Sequence, residues 1–356
     1  MRLSIIVLVL TTTVSSCSGQ NTPRWSQLAA PDTVGLWIQP AQGKPAIPVW
    51  GHAHGMVVGL APLPGPRGLI RIYTPYLGLE TGDVMNFIAL EPIPKGSEQR
   101  GLSELEMSTL DEGRRGKRFW SSNDNAATSA LNEEYPARGM IETINGEETL
   151  TLYVFSEPFD NGAKVYVRLR FFETRPYEFE ITTYTYDDSV DLDYFITTAT
   201  MGNKARLRIL YLEKGQKSSL ELWSEYNEIH FTPHEFFSVN DMIRDEKGNA
   251  FFVASPNEKD YTKTVYAPQT SNNWRFKGIF ATQYWIKEKP SEKLKGLVNG
   301  RFVYWAGNAP IPGGISYENF ELNEPFKNGS SYIFGISPEN PEELIDRLKK
   351  DKNNRY

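Results

Sequence analysis

Cysteine is almost absent: Cys17 is the only one in 356 residues, so no disulfide can brace the chain from within. Histidine is scarce as well, at four residues. Basic residues do not outnumber acidic ones, with 38 Lys and Arg against 44 Asp and Glu, which leaves no charge surplus for a nucleic-acid partner. No apolar run is long enough to cross a bilayer as a helix. Phosphate-cradling glycine loops, a nucleophile elbow and a zinc-ligand cluster are all missing. These gaps exclude an internal disulfide and the most legible catalytic signatures. Stability has to come from a packed core.

The lone cysteine has a telling position. Arg2 supplies a short positive segment, residues 3–10 an apolar one, and Val14-Ser15-Ser16 places small residues before Cys17. This order is that of a secretory signal. It resembles the lipobox of bacterial lipoproteins, in which the cysteine is lipidated and becomes the mature N-terminus. The resemblance implies removal of the residues preceding Cys17, lipidation at Cys17, and an extracytoplasmic, membrane-anchored protein of the bacterial envelope, with the outer membrane as the expected home. Losing Arg2 leaves 37 basic residues against 44 acidic ones, a net charge of −7. Residues 18–32, polar and with two prolines, read as a tether, and residues 33–356 as a single folding unit.

What the chain has in abundance is aromatic residues, at 13%, with 28 Gly and 23 Pro spread along its length. That mixture suits many short strands joined by turns. Residues 141–144 and 149–155 flank Asn145-Gly146, a hairpin signal. Residues 164–172 and 177–186 alternate and fold about Thr174, which sets Val167 against Ile181 and Leu169 against Phe179. The same register sets Arg168 against Glu180 and Arg170 against Glu178 as exposed structural pairs. Further strands are expected at 205–212, 220–223, 229–239, 250–254, 276–286, 300–305, 315–322 and 332–336, with a turn at 245–249. Asn328-Gly329-Ser330 reads as another turn. One helix closes the chain, capped by Asn340 and opened by Pro341, with Glu343 in the first turn and Leu344, Ile345 and Leu348 on one side. The pattern predicts an all-β fold, a large antiparallel β-sandwich with one short C-terminal helix. In strand density and length it resembles the galactose-mutarotase-like supersandwich of carbohydrate-active proteins, and that resemblance implies a glycan as substrate or ligand.

Residues 50–120 hold the densest polar chemistry. His52 and His54 lie two apart, a spacing that on a strand puts both imidazoles on one face, towards a metal ion, a sugar or a proton to be moved. Flanking glycines admit the other reading, a tight loop whose histidines bond to backbone. No cofactor is expected, and a metal at His52 and His54 would lack a third ligand nearby in sequence. Arg71 and Tyr73 repeat the spacing and offer the cation and base that a uronate lyase needs, or a solvent-facing strand. Glu104 and Glu106 offer the paired acids of a glycoside hydrolase, or a charged strand edge. They resemble the strand-borne acidic motif of jelly-roll glucanases, except that Glu106 stands where that family has Asp and Ser108 where it has the last acid. Glu91 follows the apolar run 87–90 and precedes Pro92, so it ends a buried strand at a sheet rim. Glu318 falls on a strand face shared with Phe320 and Leu322, where a carboxylate needs a partner. Arg100 is a candidate for substrate binding, as are Trp120 and Trp305, whose rings, like those of Trp274 and Trp285, can stack on sugars. His230 and His234, beside Pro233, read as ordinary loop histidines.

Three functions fit this inventory. The chain can be a lipid-anchored polysaccharide lyase or glycoside hydrolase, a glycan-binding lipoprotein without catalysis, or a structural component of the envelope. The first predicts that His52, His54, Arg71, Tyr73, Glu91 and Glu106 converge in one groove.

Overall fold

The computed structural model describes residues 24–74, 83–125, 131–200, 205–256, 281–304 and 308–350. The expectations of lipidation at Cys17, sugar stacking at Trp274 and Trp305 and a strand over residues 276–280 lie outside them. Twenty-one strands occur among the described residues. Six form the first half of one sheet: β1 (Asp32–Val34), β2 (Trp37–Gln39), β3 (Val49–His52), β4 (Val57–Gly59), β5 (Leu69–Thr74) and β6 (Asp83–Pro94). Next come β7 (Phe119–Ser122), β8 (Met140–Ile144), β9 (Glu147–Ser156), β10 (Val165–Phe172), β11 (Glu178–Thr185), β12 (Leu192–Thr200), β13 (Leu207–Leu212) and β14 (Gly215–Ser218). A short helix α1 (Ser219–Leu222) precedes β15 (Glu235–Ser238), β16 (Ile243–Arg244), β17 (Ala250–Pro256), β18 (Thr282–Lys287), β19 (Lys295–Arg301), β20 (Ser316–Asn323), β21 (Ser330–Ser337) and the helix α2 (Pro341–Lys350).

These strands make two antiparallel sheets. One has ten strands in the order β1-β2-β3-β4-β5-β6-β12-β20-β19-β15. The other has eleven, β14-β13-β17-β18-β21-β11-β10-β9-β7, with β16 paired to β17 and β8 to β9. The main core lies between them. Ile70, Ile88, Leu90, Phe195 and Phe320 from the first sheet meet Leu152, Val167, Ile181, Trp285 and Phe334 from the second. The all-β sandwich expected from composition is therefore the fold. A second apolar cluster sits on the outer face of the eleven-stranded sheet, where Leu344 and Leu348 of α2 cover Phe251, Val253, Tyr284 and Ile333. The Asn340 side chain caps α2 by accepting from Glu342 N at 2.9 Å.

The Asn145-Gly146 hairpin forms, joining β8 to β9 with φ of 53° and 85° at its two central residues. Several other expectations need correction. β10 and β11 pair, but Leu169 opposes Ile181, Val167 opposes Thr183 and Arg170 opposes Glu180, a shift of two residues from the expected register. The turn is centred on Arg175 because Pro176 lies within it, which lengthens the connection and keeps each side chain on its expected face. Arg168 still bonds Glu180, at 2.8 Å, but the carboxylates are buried, with Glu178 4% and Glu180 5% exposed. Glu178 accepts from Tyr284 Oη at 2.8 Å instead of meeting Arg170. Residues 219–222 form α1, where Ser218 and Glu221 make a reciprocal capping box that outweighs the local strand propensity. Within 229–239 only Glu235–Ser238 is strand, and β19 ends at Arg301, so 302–304 is connection and not the expected strand.

Candidate functional site

Glu91 stands near the end of β6, on the face turned away from the main core, since its neighbour Leu90 points inward. The chain then turns back on itself. Gly101 N donates to Pro92 O at 2.9 Å and Ser103 N to Leu90 O at 3.3 Å, so residues 101–103 run antiparallel beside the strand they have left. Ser103 fixes this return by accepting from Leu90 N at 2.9 Å and donating to Gly68 O at 2.7 Å. A Cβ on Gly101 would stand 2.7 Å from the Phe159 ring, so the close approach requires glycine. The folded-back segment places Arg100 beside Glu91.

The Arg100 guanidinium joins three strands. Its Nε donates to Glu91 Oε2 on β6, and its Nη2 donates to Thr198 Oγ1 on β12 at 3.0 Å and to both oxygens of Glu321 on β20, at 2.9 and 2.8 Å. Thr198 in turn donates to Glu321 at 2.6 Å. The sheet order β6-β12-β20 makes these neighbours on one face, and pairing of Ala199 with Phe320 brings Thr198 and Glu321 side by side. Further along the sheet, Asn299 Nδ2 on β19 donates to His234 Nε2 at 3.3 Å, just before β15. Arg100 therefore ties Glu91 to partners that lie far away in sequence.

The electrostatics of this cluster are unusual. Glu91 is 5% and Glu321 0% exposed. Burial pushes Glu91 up to about 7 against the pull of Arg100, with the charges of Glu321 and Glu104 adding to the rise. Burial opposes the charge on Arg100, but Glu321 and Glu91 outweigh it and raise its pKa. Burial also raises Glu104. His234 has a side open to solvent, while its packed side lowers its pKa and Glu321 pulls the other way. A carboxyl that exchanges its proton near neutrality, beside a second carboxylate and a fixed cation, can give or take a proton at a bound molecule.

The remaining candidates go elsewhere. His52 ends β3 and His54 lies in the turn that follows, closed by Gly55 N donating to His52 O at 3.0 Å, so they do not share a strand face. His52 Nδ1 accepts from His54 N at 3.0 Å and Nε2 lies 3.3 Å from Glu173 O, which engages both ring nitrogens. Burial lowers its pKa. Among the described residues no group of three His, Cys, Asp or Glu side chains is placed to hold a metal ion. Arg71 is fully buried and donates to Pro66 O and, at 3.4 Å, to Leu63 O, while Tyr73 follows a register step between β5 and β6.

Glu104 and Glu106 lie on a tight turn, with Glu106 N bonded to Leu102 O at 2.9 Å, so the expected strand spacing does not hold. Glu104 lies near enough for its charge to act on Glu91. Glu106 accepts from Leu102 N at 3.0 Å and Asp160 N at 2.8 Å and pairs with Lys117 at 3.2 Å. Glu318 is 1% exposed and occupies a bulge, where Asn299 pairs with Asn319 and Gly300 with Tyr317. Trp120 lies on edge strand β7, stacked on Phe155. Trp285 fills the core and donates to Phe320 O at 2.9 Å. The six residues expected in one groove thus occupy at least three separate environments.

Glu321, Thr198 and Asn299 escaped the sequence reading, and His234 was read as an ordinary strand or loop histidine. Glu321 alternates with core residues Phe320 and Leu322, as any outward-facing charge would, and nothing local marks it. His234 carried one signal, an imidazole in an aromatic stretch, but not its neighbours.

The fold defines a class, the large two-sheet antiparallel sandwich. No protein-family model matches the chain, and no curated protein does. Among solved structures it is similar to a protein designated HI1317, at 11% identity and a TM-score of 0.22, over 86% of this chain and 97% of that one. It is also similar to a candidate mutarotase, YeaD from Salmonella typhimurium, at 9% identity and a TM-score of 0.25, over 87% of this chain and 96% of that one. Likenesses at this level assign neither family nor activity.

Proposed function

We propose that this chain is an extracytoplasmic, lipid-anchored carbohydrate-active enzyme that cleaves a glycan by carboxylate acid–base chemistry, as a glycoside hydrolase. The observation that supports this is the Glu91–Arg100–Glu321 cluster, with Glu91 pushed up to about 7 by burial. Glycosidic cleavage needs one carboxyl that holds a proton for the leaving oxygen and a second carboxylate for the developing positive charge or for the attacking group. Glu91 has the proton affinity for the first role. Glu321, on the far side of Arg100, has the position for the second. Arg100 keeps both carboxylates oriented and limits their repulsion. A lyase is less well supported, because Arg71 is fully buried and Arg100 is engaged by two carboxylates, leaving neither to neutralise a uronate.

A second reading is a non-catalytic glycan-binding lipoprotein, in which the same cluster only fastens three strands together. It is favoured by the burial of Glu91 and Glu321, and by three described cavities that lie away from them. The two readings separate on one assay. The purified protein is incubated with a panel of polysaccharides while reducing ends and unsaturated uronate products are followed. Reducing ends without unsaturated products are expected. Unsaturated products would make it a lyase, and measurable binding with neither product would make it a binding protein. Anchoring is tested by Cys17→Ser, which should release the protein from the membrane fraction.

A further inference from the structure

Trp120, Phe155, Tyr166 and Tyr184 come from four neighbouring strands, β7, β9, β10 and β11, and stack in a row on the outer face of the eleven-stranded sheet. Their centroids are 6.1, 4.9 and 5.0 Å apart and successive planes differ by only 19°, 23° and 10°. Tyr186 meets Tyr166 edge-on at 5.4 Å. The row is fixed from behind, since Phe155 is fully buried, yet its end at Trp120 is partly open. A cavity of about 410 Å³ opens there, lined by Trp120, Tyr186, Pro158, Lys164, Asp187 and Asp188.

We propose that this cavity is a binding subsite for a neutral, hydroxyl-rich sugar ring, which holds the glycan chain on which the Glu91–Arg100 site acts. The proposal rests on the glycan-active reading above. A pyranose has a C–H face that packs on an aromatic ring and a rim of hydroxyls that need donors and acceptors, and this lining supplies both. Lys164 Nζ donates to Asp188 Oδ2 at 2.5 Å, which leaves the other lone pairs of Asp188 and the exposed Asp187 as acceptors. Burial raises the pKa of the Tyr186 phenol, which remains a neutral donor. Two carboxylates against one ammonium disfavour a uronate and do not impede a neutral sugar.

The position of the subsite connects it to the proposed centre. Tyr186 lies where the chain leaves β11 in one sheet for β12 in the other. A second cavity, about 520 Å³, shares Tyr186 and Asp187 with the first and runs on to Lys95, Asp193 and Phe326. There Lys95 N donates to Asp191 O and Gly96 N to Asp193 Oδ2, both at 2.8 Å. Arg100 follows five residues later on the same loop, within about 17 Å even for a fully extended chain. The two cavities together run from Trp120 past the connection between the sheets to Lys95, on the loop that carries Arg100.

Isothermal titration of the full-length protein with cellohexaose, xylohexaose, mannohexaose, maltohexaose and an oligogalacturonate tests this directly. At least one neutral oligosaccharide should bind, Trp120→Ala should weaken it tenfold or more, and Trp120→Phe and Asp187→Asn severalfold. The oligogalacturonate should bind more weakly than the neutral ligand. Glu91→Gln should retain binding, so failure of the catalytic reading and failure of the subsite give different results. Should Trp120→Ala fail to fold, the Trp120→Phe and Asp187→Asn variants decide. Absence of binding by every neutral oligosaccharide, wild-type affinity in these variants, or preference for the uronate or for a basic peptide would overturn the proposal.

Discussion

Two regions of this molecule concentrate buried charge, and they treat a carboxylate in opposite ways. Glu91 shares one guanidinium with Glu321 on the face of the ten-stranded sheet turned away from the main core, and its pKa is pushed up to about 7. Glu157, at the end of β9, is also fully buried, but it accepts from the Ser108 and Thr109 hydroxyls and from the backbone N–H groups of Thr109, Leu110 and Arg118. Burial works against its charge, but those donors prevail and lower its pKa. Beside it the fully buried Lys117 ties Met107 O, Asp160 and Glu106 together. One region answers a buried charge with enough donors to keep it ionised, and so clamps a loop. The other sets two carboxylates on one cation, and so leaves a proton in play.

The comparison can be broken most forcefully at Glu91. On the proposed reading, Glu91→Gln should lower kcat by about 100- to 10,000-fold, the span of a lost general acid, with little loss of stability. A comparable fall in kcat from Glu157→Gln in protein that is still folded would erase the distinction. At Glu157 the larger effect should be on stability. Glu157→Ala strands several buried donors and should cost about 3 kcal/mol in urea unfolding.

The pH dependence sharpens the contrast, because the signs differ. Glu91 has a folded pKa above its ordinary value of 4.5, so the native state holds a proton that the unfolded chain has released. Its contribution is present below pH 4.5 and is lost as pH rises towards 7, by up to about 3 kcal/mol. Glu157 has a folded pKa below that same 4.5, so its contribution is present above it and is lost as pH falls through the lowered value. Urea unfolding across this range should lose the first slope in Glu91→Gln and the second in Glu157→Gln. The smallest effect is expected from Gly101→Ala, whose Cβ would press on the Phe159 ring and shift the return loop that carries Arg100. It should cost about 1–2 kcal/mol and reduce kcat more than it raises KM.

The fold was legible where the signals are local. Asn145-Gly146 marks its hairpin, Asn340-Pro341 its helix start, and the alternation of 164–172 the face that its side chains take. Register was less so, because Pro176 moved the turn centre and the flanking residues alone do not reveal by how much. In the candidate site, Glu91 was singled out from its position after a buried run and before Pro92, whereas Arg100 was expected to bind substrate and not to hold Glu91. Their partner Glu321 lies 221 residues beyond Arg100 and reaches it only through the strand order β6-β12-β20. No pattern in one strand encodes which strand will lie beside it. The Glu104–Glu106 pair was read with a strand's period of two, whereas it lies in a turn, where that period has no meaning; of the two readings of His52 and His54, the tight loop with backbone bonds is the one that holds, with His52 ending β3 and His54 in the turn after it.

The central claim is that Glu91 holds a proton near neutrality because it is buried beside Glu321. Selective ¹³C labelling of glutamate carboxyls, with Glu91 assigned by loss of its signal in Glu91→Gln, allows its titration to be followed by NMR. The account predicts a midpoint near 7 that falls in Glu321→Gln. A midpoint at the ordinary value near 4.5, unmoved by that substitution, would contradict it.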